Sequence, residues 1–234
     1  MKGKIIILLT ALIVPFLSSC LDEGKETIIM EDEKVDMTGI YRAVPQSTVN
    51  KLKEHMPIYE GDNPPNIEGC YLIKPMVAVY CDDGGFSPGT EVAEEKIRFT
   101  NQDDRKGTID YESFCDGTSK YEVGVGAFIS GDGNNFTAYF DTEGETEDGK
   151  YGNTIKTTKA LVISGTVTNS GIKDIRYAFT MVKKIGDEHN TIMNEGGFRV
   201  FKDKDGLAAN STWTYSKTSE TSINPLPNKT AKSF

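Results

Sequence analysis

The side chains of this 234-residue chain that could do covalent or metal chemistry are few and scattered. There are two histidines: His55 precedes Met56-Pro57, and His189 lies in the polar run "GDEHN". A hydrolytic triad needs a base within ~3 Å of a nucleophile and a third group to orient that base. No Gly-x-Ser-x-Gly stands beside either histidine. The paired carboxylates Asp82/Asp83, Glu94/Glu95 and Asp103/Asp104 fall in turns or on adjacent strand positions that face opposite ways, so they are expected to be solvated. "GDGNN" at 131–135 and "DKDG" at 203–206 gather oxygen ligands, but neither supplies the alternating acidic positions and distant bidentate glutamate of an EF-hand loop. Both read as turns. No catalytic residue, metal site or cofactor is expected, and the reading is against an enzyme.

Cys20, Cys70, Cys81 and Cys115 are the cysteines, with no C-x-x-C spacing to suggest zinc or a redox pair. Cys20 stands apart. Lys2 and Lys4 precede thirteen mostly apolar residues, 5–17, too few to span a hydrocarbon core of ~30 Å. Small Ser18 and Ser19 follow, then Cys20, in the order of a secretory signal. "Leu17-Ser18-Ser19-Cys20" resembles the bacterial lipobox, which implies lipidation of Cys20 and a signal peptide over 1–19. Two or more acyl chains hold a protein firmly on a bilayer, where one holds it only marginally. Asp22 and Glu23 resemble the export tag of Bacteroidetes lipoproteins carried to the cell surface; a plain solvated tether over 20–36 is the alternative. The expected location is an outer-membrane lipid anchor, either surface-exposed or periplasmic. The three remaining cysteines are odd in number, so at least one thiol stays free or pairs between molecules, with buried unpaired thiols the default.

The formal net charge is −9, and removal of Lys2 and Lys4 with the leader takes it to −11. That acidity argues against a nucleic-acid partner, since phosphate contact needs a basic face. Twenty-three glycines sit between aromatic and β-branched runs, the composition of an all-β domain.

The elements follow from the period of the apolar residues. Residues 47–56 carry Val49, Leu52 and Met56 at helical spacing, with Ser47 as N-cap and Pro57 as stop. Past "GDNPPN" the period becomes two, in runs over 67–81, 91–100, 107–115, 119–130, 135–141, 155–168, 172–184 and 197–202. "GDGN" at 131–134 and "NSG" at 169–171 are hairpin turns. Short links with no helical crossover imply antiparallel pairing. Eight such strands suit an up-and-down barrel with one short N-terminal helix; a β-sandwich is the alternative. Residues 142–153 read as a polar loop, and 214–234 as a mobile polar tail behind a domain at 37–213.

"NPPNIEGCYLIKPMVAVY" and "GAFISGDGNNFTAYFDTEG" resemble a family of Bacteroidetes lipoproteins with a calycin-like, lipocalin-related barrel, the likeness running from about Gly39 to Trp213. Where lipocalins open with Gly-x-Trp, this chain has Gly69-Cys70-Tyr71. The resemblance implies the barrel and a helix across its closed end, and supplies neither a catalytic residue nor a ligand.

If the period-two faces point inward, the interior holds Tyr71, Ile73, Val77, Val79, Phe99, Tyr111, Tyr121, Ile175, Tyr177, Phe179 and Met181. Pro75 cannot donate to a ladder, so the phase of 76–81 can reverse there. Such a lining suits a small hydrophobic ligand with one polar end, or simply fills an eight-stranded barrel. Two functions stand: a vessel for that ligand, or a surface module whose loops 82–90, 142–153 and 186–196 meet a glycan or partner protein, with Phe86, Tyr151 and Trp213 as loop aromatics.

Overall fold

Turn chemistry and period-two patterning generate most of the architecture in the computed structural model, which describes residues 46–215. The signal peptide, Cys20, the tether and all of the tail past Tyr215 lie outside the described residues. Among those described are one helix, α1 (Gln46–His55), and eleven strands. The strands are β1 (Gly69–Ile73), β2 (Met76–Cys81), β3 (Glu91–Val92), β4 (Glu95–Asp103), β5 (Thr108–Phe114) and β6 (Tyr121–Asp132). They continue with β7 (Asn135–Glu147), β8 (Thr154–Thr168), β9 (Gly171–Ile185), β10 (Phe198–Asp203) and β11 (Leu207–Asn210).

All pairings between named strands are antiparallel, in one all-β, up-and-down sheet that is partly ringed. Strands β4 to β9 pair in sequence order. Strand β11 pairs with both β9 and β1, and β1 pairs with β4, so the ladder returns on itself through these short strands. Above that level β10 continues along β9 and carries β2, whose other edge bears only the two residues of β3. The eight sequence runs thus become eleven strands for identifiable reasons. Pro75 divides the first run into β1 and β2. Asp203 joins these breaks: its carboxylate accepts from the Lys74 N–H at 2.8 Å and from the Asp205 and Leu207 N–H groups at 2.9 and 3.2 Å, turning β10 into β11. "DKDG" is therefore a turn built on a buried aspartate.

The segment read as a polar loop, 142–153, is a correction. β7 runs on to Glu147 and pairs residue for residue with β8, leaving only 148–153 as the turn. Strand β11 was not foreseen.

The interior face packs Tyr71, Ile73, Phe99, Ile109, Tyr111, Phe136, Phe140, Ile163, Ile175 and Tyr177 into one buried cluster. Phe99 lies 6.0–6.4 Å from the rings of Tyr71, Tyr111, Phe136 and Phe140, inside the range in which aromatic pairs attract. This half of the interior is packed with aromatic and branched aliphatic side chains.

A second apolar layer sits outside the sheet. Leu52 and Met56 of α1 pack on Tyr139, Ala160, Val162, Ala178, Phe198 and Val200, which are outward residues of β7–β10. The helix therefore covers an outer face and not an end, because the alternation of β7–β10 presents an apolar stripe there as well. His55 stacks on Tyr80 with centroids 3.8 Å apart, and Lys51 reaches Asp82 at 2.7 Å.

The end of the interior next to Gly69 is closed by the connector after α1. Ile67 is fully buried, its N–H donates to Gln102 and its carbonyl accepts from the Tyr71 hydroxyl. Upstream, Gly61 and Gly131 exchange close backbone contacts; a Cβ on Gly61 would stand 2.5 Å from the Gly131 carbonyl oxygen, and Gly61 has φ +134°. Gly61→Ala is expected to destabilise the fold by more than about 1 kcal/mol, because both backbone conformation and space oppose a side chain. Urea unfolding checks this, and an unchanged midpoint would contradict it.

Candidate functional site

At the end opposite Ile67, the inward positions change from aromatic to charged. On β8 the face that carries Leu161 and Ile163 also carries Lys159, and on β6 it carries Glu122. Glu122 is 1 % exposed, and its two carboxylate oxygens accept from Lys159 Nζ and, at 2.6 Å, from Thr142 Oγ1. Lys120, immediately before β6, donates to Glu95 Oε2 at 2.5 Å. Below them the hydroxyls of Tyr111 and Tyr177 meet at 3.0 Å. The result is a run of alternating charges, Glu95, Lys120, Glu122 and Lys159, laid over two phenols.

Burial shapes the titration of these groups. It acts against the ionised form of Glu122, but the ammoniums of Lys159 and Lys120 outweigh it and hold the carboxyl below its ordinary range. Burial likewise pushes Lys120 down, and the carboxylates of Glu95 and Glu122 more than restore it. Desolvation, reinforced by those carboxylates, drives Tyr111 and Tyr177 well up, so both remain neutral donors. The expectation that Glu94/Glu95 are both solvated is corrected for Glu95, which is 2 % exposed.

Above this layer lies a cleft of about 190 Å³. Its apolar wall is Phe179, Met181, Ile192 and Met193; its polar wall includes Lys120, Glu122, Thr157, Lys159 and Arg199. Lys159 Nζ sits 5.1 Å from the centre of the Phe179 ring. Arg199 points to the cleft from β10, held by Asp83 through Nε at 3.0 Å and lying 4.9 Å from the Phe86 ring. A larger groove of about 480 Å³ shares Ile192, Met193 and Arg199 and continues to Asp83, Phe86 and Asn194.

Both hollows are bordered by the 186–196 loop, which is organised around one ion pair. Asp187 accepts from Lys184 Nζ at 2.6 Å, from the Thr191 N–H at 2.7 Å and from the Thr191 hydroxyl at 2.9 Å. Burial opposes ionisation of Asp187, but these donors win and pull its pKa down to about 2 from an ordinary 3.8. A carboxyl depressed on folding stabilises above its unfolded pKa and loses that contribution as pH falls through the folded value. Amide exchange at Thr191 and Ile192 is expected to stay slow at pH 4 and to accelerate as pH approaches 2. Acceleration already at pH 5 would contradict this.

Of the sequence candidates, Tyr71, Ile73, Phe99, Tyr111, Ile175 and Tyr177 lie in the packed interior, and Phe179 and Met181 line the cleft. Tyr121 also borders the cleft, but its ring does not point into the interior as expected. Its ring faces outward, stacked on Tyr215 at 4.5 Å, with its hydroxyl donating to Glu112. Five steps along β6 from Val123 to Phe128 oppose four along β7, from Glu143 to Tyr139, and the extra residue reverses the phase. The phase also reverses at Pro75: Met76 and Ala78 join the interior, while Val79 packs on the outer layer.

Among the loop aromatics, Trp213 packs edge-on against Phe114 under Arg98, and Phe86 packs on Phe201. Thr214 and Tyr215, assigned to the tail, are also engaged: Thr214 accepts from Lys96. Tyr151 is 46 % exposed and stacks with His189 at 3.8 Å. The thiols of Cys70, Cys81 and Cys115 are free, and burial raises each one's pKa. "Gly85-Phe86-Ser87-Pro88-Gly89" has the spacing of a nucleophile elbow, but Ser87 sits in the exposed β2–β3 turn and not where a strand enters a helix. Among the described residues, no group of three His, Cys, Asp or Glu side chains is placed to hold a metal ion.

Sequence reasoning missed Glu122, Lys159, Lys120 and Arg199 as site residues, because it searched the inward faces for apolar side chains. The signal was present for Lys159, which stands in phase with Leu161 and Ile163. No family model matches this sequence, and no match was found among curated proteins or solved structures.

Proposed function

We propose that the chain is a lipid-anchored outer-membrane lipoprotein, tethered through Cys20, whose sheet is an eight-position calycin-like barrel holding a small ligand at its open end. The pairing of β11 with both β9 and β1 supports the barrel over a sandwich. The observation that carries the ligand reading is the cleft itself, with Phe179, Met181, Ile192 and Met193 facing Lys120, Glu122 and Lys159 across about 190 Å³. Small-molecule sites are mostly apolar hollows of about 300–1,000 Å³ with a few placed polar groups, a range reached once the adjoining groove is included. The ligand has an apolar body and one polar end, and it rests above the packed aromatics. Octan-1-ol titrated into the full chain is expected to bind, and Phe179→Ala to weaken it about tenfold. No uptake by the native chain would end this reading.

A surface module that meets a glycan is the second reading, favoured by the exposed Tyr151 stacked on His189 between two loops. Aromatic faces at loop tips suit the C–H face of a sugar. A glycan array compared between the native chain and Tyr151→Ala tests it: loss of a glycan signal supports the reading, and an array with no signal, or one unchanged by the substitution, removes it.

A further inference from the structure

We infer that the polar end of the ligand is a carboxylate, received by spare N–H groups of Lys120, Lys159 and Arg199. This rests on the reading that the cleft holds a ligand, and it follows from accounting for donors and acceptors around the cleft. The acceptors are largely used. Glu122 takes Lys159 on one oxygen and Thr142 on the other. Asp83 takes Nε and Nη2 of Arg199 as well as the Gly85 N–H. Glu145 is the exception: it lines the cleft with its charge balanced by Lys156, whose Nζ at 3.6 Å from Oε1 is beyond hydrogen-bond range. Glu95 Oε1 is buried without a partner among the described residues, but Glu95 stands behind Lys120 and does not line the cleft.

The donors are not used up. Each ammonium carries three N–H groups and a guanidinium five. Among the described residues Lys120 donates to Glu95 and Lys159 to Glu122, one hydrogen bond each, and Arg199 bonds Asp83 through Nε and Nη2, leaving Nη1. The unfilled capacity of the cleft is therefore mostly N–H from charged groups, and an acceptor that is itself charged answers it best.

The balance of charge selects the size of that anion. Lys120, Lys159, Arg199 and Lys156 are matched by Glu95, Glu122, Asp83 and Glu145, so the cluster is neutral before a ligand arrives. One further negative charge can be shared among the spare donors, whereas a dianion adds a second charge with nothing to offset it in a half-enclosed site. A carboxylate on a short apolar body, its chain against Phe179, Met181 and Met193, meets both conditions.

The test is calorimetric titration of the full chain with octanoate, methyl octanoate, octylamine and octyl phosphate. Octanoate is expected to bind at least about tenfold more tightly than the ester, the amine or the phosphate. In the double variant Glu95→Gln/Lys120→Gln, which keeps the cluster neutral, the ratio of octanoate affinity to ester affinity is expected to fall several-fold; an unchanged ratio would remove Lys120 from the carboxylate site. If the ester or amine equals octanoate, the carboxylate assignment is overturned while the ligand cleft stands. If octyl phosphate equals or exceeds it, the choice of a monoanion is overturned. If none of the four binds, the ligand cleft itself is lost.

Discussion

Lys159→Met is expected to destabilise the fold by about 3 kcal/mol, read as a lower urea midpoint with an unchanged slope. Lys159 and Glu122 are 8 % and 1 % exposed, so removing the ammonium leaves a carboxylate in the interior with Thr142 and Lys120 as its remaining support. The cost comes from that stranded charge rather than from the attraction lost, since a buried ion pair recovers little more than its own desolvation. The double variant Lys159→Met/Glu122→Met removes both charges and is therefore expected to recover most of the loss. Acid acts on the same pair. Glu122 is held below its ordinary 4.5, so its contribution is present above that pH and disappears as the pH drops through the depressed value. A single variant as stable as the native chain would show that water already reaches the pair.

Phe99→Ala is expected to cost about 4 kcal/mol, near the upper part of the range for large-to-small core changes. Phe99 is fully buried and its ring touches the ring neighbourhoods of Tyr71, Tyr111, Phe136 and Phe140. Truncation there removes transfer energy and also leaves a void, because four aromatic neighbours anchored on separate strands cannot all close in. In an open lumen already adapted to a guest the void term would be absent, and the loss would be about 2 kcal/mol. Phe179→Ala gives the contrast. Phe179 is half-buried at the cleft, so its removal is expected to affect stability much less than binding.

The parts of the fold that were legible in the sequence are those where one physical signal dominates. The β9 face of Ile175, Tyr177, Phe179 and Met181 is an uninterrupted period of two after an Asn-Ser-Gly turn, and it points inward as expected. The Asp132–Asn135 hairpin forms where Gly133 supplies φ +61°. What was hidden depends on partners distant in the chain. Strand β11 is Leu-Ala-Ala-Asn, too short and small to announce itself, and it exists because β9 and β1 offer it two ladder edges. The second half of β7, "TEGETE", reads as a loop because both of its faces are polar; Thr142 is nonetheless buried, meeting Glu122 inside. The Tyr121 ring faces outward because of one bulge residue that a period of two does not announce. The helix was located but not its resting place, since only the tertiary fold reveals that Tyr139, Val162, Ala178 and Val200 form a second apolar stripe on the outer face.

The site was less legible than the fold for a related reason. Charged residues within strands are expected to face water, and here Glu122 and Lys159 face inward because each supplies the other's counter-charge across β7. A lysine in phase with Leu161 and Ile163 is the local mark of such a pair, but its partner lies 37 residues away.

The most direct measurement is methyl NMR of the full chain, with isoleucine and methionine methyls labelled, titrated with octan-1-ol and then with octanoate. Shifts confined to Met181, Ile192 and Met193, with Ile73, Ile109 and Ile163 unmoved, are the result that a solid interior beneath a ligand-holding mouth requires. Shifts at Ile109 or Ile163 would reveal a guest among the aromatics and contradict it, as would two titrations that move nothing.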